Sequence, residues 1–422
     1  MIQRLFKSSF LKFTSIVFLG NFLAQILFFL AFVYFARYFE KEVIGIYTVF
    51  ISLSILLAIP ATGRYELAIM LPKKLSESAS LLLISLVLAF MFSLLLALLL
   101  ATLPLQAYFN KLERLDEFLL LLPIGVFFMA SFQSFNIYYN KLGYFKWNAF
   151  AKIIQSGGMF AFSIFLGNYF GFSALALILA WVLSHLLSFS LYLVLFIISR
   201  EKQSLAESFA LIKSYKRYPS VSLLSNFLNT LSIELPNYFI PSFWGNSVQA
   251  LYAYGARIAG MPRNFIAAAV GEVFYSSSSL LAKENKEELY LHLKKITRSL
   301  FLFAVSIYAV GMLSSWYLFP LVFGAEYKAA VPYFNFLAIA SIFLFIQSPI
   351  SVISDVIGKL KPPLYFTMVS LVCKFSALAF AAYYLANPIH MIALYALVSS
   401  ALSFFWINYL FKMTKDFKEN VI

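Results

Sequence analysis

The chain has 422 residues, of which 62% are hydrophobic, 19% aromatic and only 12% charged, with a formal net charge of +14. Soluble globular proteins run nearer half apolar and a quarter charged, so these proportions exclude a soluble enzyme, a disordered chain and a disulfide scaffold. The lone cysteine, Cys373, leaves no internal disulfide.

At about 35 residues per membrane span with its loop, the length accommodates about twelve spans and little else. In chain order, apolar stretches run over 13–35, 44–62, 79–103, 118–139, 147–166, 173–198, 218–240, 249–274, 297–319, 331–353, 362–386 and 388–411. They are apolar throughout rather than alternating, which selects helices over barrel strands. The first follows Arg4, Lys7 and Lys12, as a signal peptide does. It is too long for an h-region and no small-x-small cleavage site precedes Arg37, so it reads as a retained helix.

Lys and Arg favour cytoplasmic loops. With the N-terminus placed inside, 24 of the 32 basic residues fall in the inner loops and tails. Five (Arg37, Lys41, Lys111, Arg114 and Lys328) fall outside, and Arg257, Arg263 and Lys374 lie within spans. Both termini are therefore expected in the cytoplasm. The basic balance is accounted for as topology, so no nucleic-acid partner is expected.

The sequence also repeats. Shifted by 205 residues, Ser15, Leu19, Asn21, Phe22, Leu23, Leu30, Val43 and Tyr47 meet Ser220, Leu224, Asn226, Phe227, Leu228, Leu235, Val248 and Tyr252. Further on, Gln133-Ser134 and Gly143-x-x-Lys146 meet Gln347-Ser348 and Gly358-x-x-Lys361. Six spans per repeat is an even number, so both halves cross in the same sense, as lobes related by a pseudo-two-fold along the membrane normal. The expected organisation is an all-α membrane protein with a six-helix lobe over 1–198, a cytoplasmic linker over 199–217 and a second six-helix lobe over 218–422. Within the linker, Ser204–Tyr215 reads either as a short amphipathic helix or as solvated chain.

Charges at mid-bilayer are costly, about 2.5–3.5 kcal/mol on insertion scales, so each requires a cavity or a partner. The eighth stretch carries Arg257, Arg263 and Glu272, the seventh Glu234 two residues before Pro236, and the eleventh Lys374. On an ideal helix Arg257 and Glu272 share a broad face. The second stretch closes on Arg64-Tyr65-Glu66, and His185 lies in the sixth. Arg64 reads as an interfacial anchor or as a lumen residue. Glu66 and Glu272 read as helix-end residues or as ion carriers, and Glu234 as a carrier or as a counter-charge to a helix arginine. His185 reads as a buried, hydrogen-bonded histidine. Arg257, Arg263 and Lys374 point to a water-filled cationic cavity for an anionic substrate, and the arginine fork suits phosphate. There is no metal-ligand cluster, nucleophile elbow or P-loop, so no catalytic residue, cofactor, metal or ATP is expected.

The run Gly63-Arg64-Tyr65-Glu66-Leu67-Ala68-Ile69-Met70-Leu71-Pro72-Lys73-Lys74 resembles the segment closing the second helix of Wzx-type oligosaccharide-lipid flippases. These belong to the multidrug/oligosaccharidyl-lipid/polysaccharide exporter superfamily. The Ile44-Gly45-Ile46-Tyr47 stretch and the Gly-x-x-Lys loops fit the same family. The resemblance implies two six-helix lobes forming a V around a cationic lumen in the bacterial inner membrane. It implies alternating access that carries an undecaprenyl-pyrophosphate-linked polysaccharide or O-antigen unit to the outer leaflet, beside polymerase and glycosyltransferase partners and membrane lipid. By the same resemblance Arg64 and Glu66 join Arg257, Arg263 and Lys374 in the lumen. The alternatives are a multidrug extruder of the same superfamily and a polysaccharide polymerase or ligase. A polymerase or ligase usually carries a large outer loop that this chain lacks.

Overall fold

The computed structural model describes residues 2–102, 116–199, 205–216, 218–359 and 361–419. Lys111, Arg114, Arg200, Lys202, Ser204 and Arg217 lie outside the described residues, and so does the side chain of Glu272. Among the described residues every regular element is helical: α1 (Ile2–Tyr38), α2 (Lys41–Ala61), α3 (Leu75–Thr102), α4 (Leu122–Lys141), α5 (Phe145–Phe170) and α6 (Ala174–Ser199) come first. The stretch that reads either as an amphipathic helix or as solvated chain is helical, α7 (Leu205–Ser214), and is followed by α8 (Leu223–Glu234), α9 (Pro236–Trp244), α10 (Asn246–Pro262) and α11 (Ala268–Glu284). The chain closes with α12 (Lys286–Phe323), α13 (Val331–Ile350), α14 (Ile353–Val356), α15 (Lys361–Tyr384) and α16 (Pro388–Glu419).

Helix ends follow local chemistry. Asn285 caps α12 by accepting from the backbone N–H groups of Glu287 and Glu288 at 3.1 Å each, and those two acids sit in the positive first turn. The two Gly-x-x-Lys loops close identically. Gly143 and Gly358 both sit at φ 74°, where glycine carries no Cβ penalty. The next N–H in each case, Tyr144 and Lys359, bonds the carbonyl five residues back, Tyr139 at 2.9 Å and Ser354 at 2.8 Å. The sequence repeat is thus matched by a repeated helix cap.

Among the described residues ten helical segments are long and apolar enough to cross a membrane, and the chain is a multi-pass membrane protein. The expected seventh and eighth stretches are not among them, because both are broken. The seventh is a π-turn over Tyr218–Ser222, then α8 and α9, which meet at Pro236. The eighth is α10, a π-turn over Arg263–Ala267 and α11. A π-turn shifts helical phase, so the ideal-helix argument that placed Arg257 and Glu272 on one face does not carry across it.

The chain divides into two compact units, Met1–Thr230 and Leu231–Ile422. In the first, α5 packs along both α1 and α6, and α3 along α4. Leu211 of α7 joins a buried cluster with Tyr65, Ile69, Leu82 and Tyr139. In the second, α13 is the central strut, packed by α10, α12 and α16. Gly255 makes the α10–α13 approach possible: a Cβ there would lie 2.8 Å from the backbone nitrogen of Phe334.

Candidate functional site

The second unit is organised by two proline breaks. Proline has no N–H, so Pro236 leaves the Ser232 carbonyl without its helical donor. The Tyr395 hydroxyl, from α16, donates to that carbonyl at 3.3 Å. At the second break the Arg263 N–H bonds the Gly260 carbonyl, three residues back. The Ala259 carbonyl, which a regular helix would pair with Arg263, instead accepts from the Tyr308 hydroxyl of α12 at 2.8 Å. Irregular backbone at membrane depth persists only where protein groups take over the released polar atoms, and these two tyrosines do so.

Around the breaks sit most of the intramembrane charges. Glu234 ends α8 and accepts from Asn237 Nδ2 at 2.6 Å, while Asn237 Oδ1 accepts from Gln249 Nε2 at 2.7 Å. Gln249 is fully buried and its Oε1 has no partner. Lys374 of α15 is buried at 8% exposure, with Nζ 5.6 Å from the centroid of the Tyr395 ring. The charge of Arg263 acts on Lys374, Tyr395 and Tyr308, and that of Glu234 acts on Tyr395 and Tyr252. Arg257 lies half-buried on α10 and, like Glu234, is engaged by its surroundings. Arg263, Lys374 and Glu234 are thus brought together about Tyr395. Glu272 lies on α11 beyond the second break.

Arg64 and Glu66 belong to the first unit and form their own pair. Gly63 and Arg64 both take left-handed backbone, φ 58° and φ 61°. The turn folds Arg64 Nη1 back to 3.1 Å from Glu66 Oε1. The Thr62 hydroxyl donates to the other carboxylate oxygen, and the Arg64 N–H to the Thr62 hydroxyl at 3.3 Å. Arg64 Nε is buried without a partner. Burial pushes the Glu66 carboxyl above its ordinary value, while Arg64 and then Thr62 draw it back. Between them Tyr65 donates its hydroxyl to the Ile212 carbonyl of α7 at 3.2 Å, tying the linker helix to this turn.

His185 is a buried, hydrogen-bonded histidine: Nδ1 lies 2.9 Å from the Trp181 carbonyl, and the ring packs at 4.4 Å on that of Trp181. Among the described residues no group of three or more His, Cys, Asp or Glu side chains is arranged to hold a metal. Sequence reasoning missed Tyr395, Tyr308, Asn237 and Gln249. Pro236 signalled a released carbonyl at Ser232, but nothing in the sequence says which tyrosine reaches it, and the Ala259 carbonyl is freed by the π-turn rather than by Pro262.

A family model described as "Polysaccharide biosynthesis protein" matches residues 73–332, more than half of the chain. No curated protein matches in sequence. Among solved structures, an inward-facing multidrug resistance MATE family transporter of the MOP superfamily is similar at TM-score 0.74 and 15% identity, over 94% of this chain and 96% of its own. A MOP superfamily transporter from Pyrococcus furiosus, described as having a binding pocket of reverse polarity, reaches TM-score 0.65 at 16% identity over 96% of each chain. A mutant of the Vibrio cholerae MATE transporter VcmN reaches 0.63 at 15% identity, over 96% of this chain and 98% of its own. These identities establish the shared fold, with its two six-helix lobes.

Proposed function

The chain belongs to the polysaccharide biosynthesis protein family, and from that premise we propose that it is a Wzx-type flippase. Its substrate in this reading is a lipid-pyrophosphate-linked oligosaccharide, a polysaccharide or O-antigen unit. The unit moves from the inner to the outer leaflet of the bacterial cytoplasmic membrane, and both termini are cytoplasmic. The observation that carries the reading is that Lys374 is buried at 8% exposure in the same membrane-spanning unit as Arg263, whose charge acts on it. Two like charges held close in a low dielectric raise each other's cost, and a bound anion offsets that cost. A pyrophosphate supplies the anion, and the lipid tail suits the setting. Arg257 and Arg263 offer planar forks to phosphate oxygens, and Lys374 offers a point charge. Arg64, with Nη1 committed to Glu66, serves this site only if the pair opens. Transport runs by rocking of the lobes without ATP, and Glu234 and Glu272 are the candidate ion carriers.

The second reading, a multidrug extruder, is favoured by the MATE transporters that share the fold. A cationic drug calls for an uncommitted intramembrane acid in the N-terminal lobe, whereas Glu66 is engaged by Arg64 and Thr62.

Neutral double variants separate substrate binding from structural pairing. A structural pair recovers polysaccharide export when both partners become neutral, as in Arg257→Gln with Glu234→Gln. A phosphate-binding arginine does not recover. We expect loss of export in the single and the double variants at normal protein levels. Full recovery in the double variant overturns the anion-site reading.

A further inference from the structure

Tyr395 stands where three features of the second unit meet. Its hydroxyl donates at 3.3 Å to the carbonyl that Pro236 releases on α8. Its ring lies beneath the Lys374 ammonium, 5.6 Å from centroid to Nζ. Glu234, at the lip of the same break, and Arg263, just past the other one, both act on it electrostatically. Phenylalanine would supply the ring without the hydroxyl, and serine the hydroxyl without the ring. Tyrosine joins a backbone carbonyl at one end to a cation at its face.

We propose that Tyr395 is a positioning residue that couples the α8–α9 break to the place of the Lys374 ammonium. The hydroxyl fixes the phenol to the broken helix, and the electron-rich ring face holds the cation. A change in the angle of the break shifts the Ser232 carbonyl, the ring follows, and Lys374 moves with it. Tyr395 acts through Lys374 and needs no contact with substrate. The transport consequence rests on the anion-site reading above; the Tyr395–Lys374 link does not.

The test compares full-length wild type, Tyr395→Phe, Tyr395→Leu and Tyr395→Met in proteoliposomes, with two readouts. In the first, the Lys374 amine is acylated with acetic anhydride at fixed pH and quantified by mass spectrometry. Only the uncharged amine reacts and the ring face favours the ammonium. Tyr395→Phe should therefore react within about two-fold of wild type, and the Leu and Met variants about five-fold faster. Equal rates in all variants overturn the proposal. If the Leu variant does not fold, Met, closer in volume to the lost ring, gives the same comparison. In the second readout, flipping of a pyrophosphoryl-linked oligosaccharide lipid is followed against substrate concentration. Tyr395→Phe, which loses the carbonyl bond alone, should lower the maximal rate and leave the half-saturating concentration unchanged. Loss of the ring should raise the half-saturating concentration as well. A Tyr395→Phe variant with wild-type flipping overturns the coupling to the break. If wild type does not flip this lipid but the acylation rates differ as stated, the transport reading fails and the link between Tyr395 and Lys374 stands.

Discussion

Arg263 and Lys374 are the residues on which the functional reading turns, because two cations gathered with the single carboxylate of Glu234 about Tyr395 leave a net positive charge that suits an anion. We expect Arg257→Ala and Arg263→Ala each to abolish polysaccharide export while the protein still inserts. Arg→Lys, which keeps the charge but loses the fork, should restore part of it at one or both positions. Lys374→Ala should be milder, because water or a neighbour replaces a single flexible ammonium more readily. Export assayed by surface polysaccharide, with protein quantified in membranes, checks all three. Glu66 gives a prediction in pH. Its folded-state value is raised above the ordinary 4.5 by burial. The native state therefore holds the proton more tightly than the unfolded chain, and the stability this proton contributes is lost as pH rises through the folded value. Arg64→Met removes the largest effect opposing that rise and leaves a buried carboxylate without its ion pair. Its melting temperature in detergent should fall below wild type at about pH 8, with the gap narrowing as the pH falls and the carboxyl takes up its proton. A gap independent of pH would mean the ion pair does not govern this turn. The charges themselves were legible in the sequence as polar letters in apolar runs. Their assignment to separate units, with Arg64 and Glu66 paired within one turn, was not. It depends on the left-handed backbone of Arg64, a conformation uncommon outside glycine.

At the scale of elements, hydropathy located most bounds to within a few residues, but α1 begins at Ile2 rather than 13, α11 ends at Glu284 rather than 274, α16 runs to Glu419 rather than 411, and α12 begins at Lys286, a full three turns before the expected 297. Those turns are polar and amphipathic, so hydropathy does not register them. The two breaks were not legible, and the reason is visible in the other prolines. Pro60, Pro320 and Pro349 fall one to three residues before the ends of α2, α12 and α13, whereas Pro236 starts a new helix. Whether a proline breaks a membrane helix depends on what rescues the freed carbonyl, and that is tertiary information. Pro262→Ala returns an N–H to the helix and removes a steric block, so it should stabilise α10 while lowering the maximal transport rate. A variant that is both more stable and equally fast would deny the break a role in transport. Gly255→Ala tests packing instead. The added Cβ meets the Phe334 backbone, which cannot rotate away, so α10 and α13 must separate. A loss of about 1–3 kcal/mol is expected, as for overpacking elsewhere, seen as a lower melting temperature in detergent.

For the molecule as a whole, the repeat and the charge asymmetry carried the architecture. The matching caps at Gly143 and Gly358 show that the repeat extends to backbone conformation. On the 24-to-5 distribution of basic residues, we propose that α7 lies on the cytoplasmic side. A cysteine at exposed Ser214, in a Cys373→Ala background, should react with a membrane-impermeant reagent only after the cells are opened; reaction in intact cells would invert the topology. The most direct measurement of substrate class places the purified protein in liposomes carrying a fluorescent undecaprenyl-pyrophosphate oligosaccharide in one leaflet, with a cationic dye offered in parallel. The lipid should cross in the wild type and not in Arg263→Ala, while the dye should be transported by neither. Dye efflux that is independent of Arg263, with no movement of the lipid, would contradict the flippase reading.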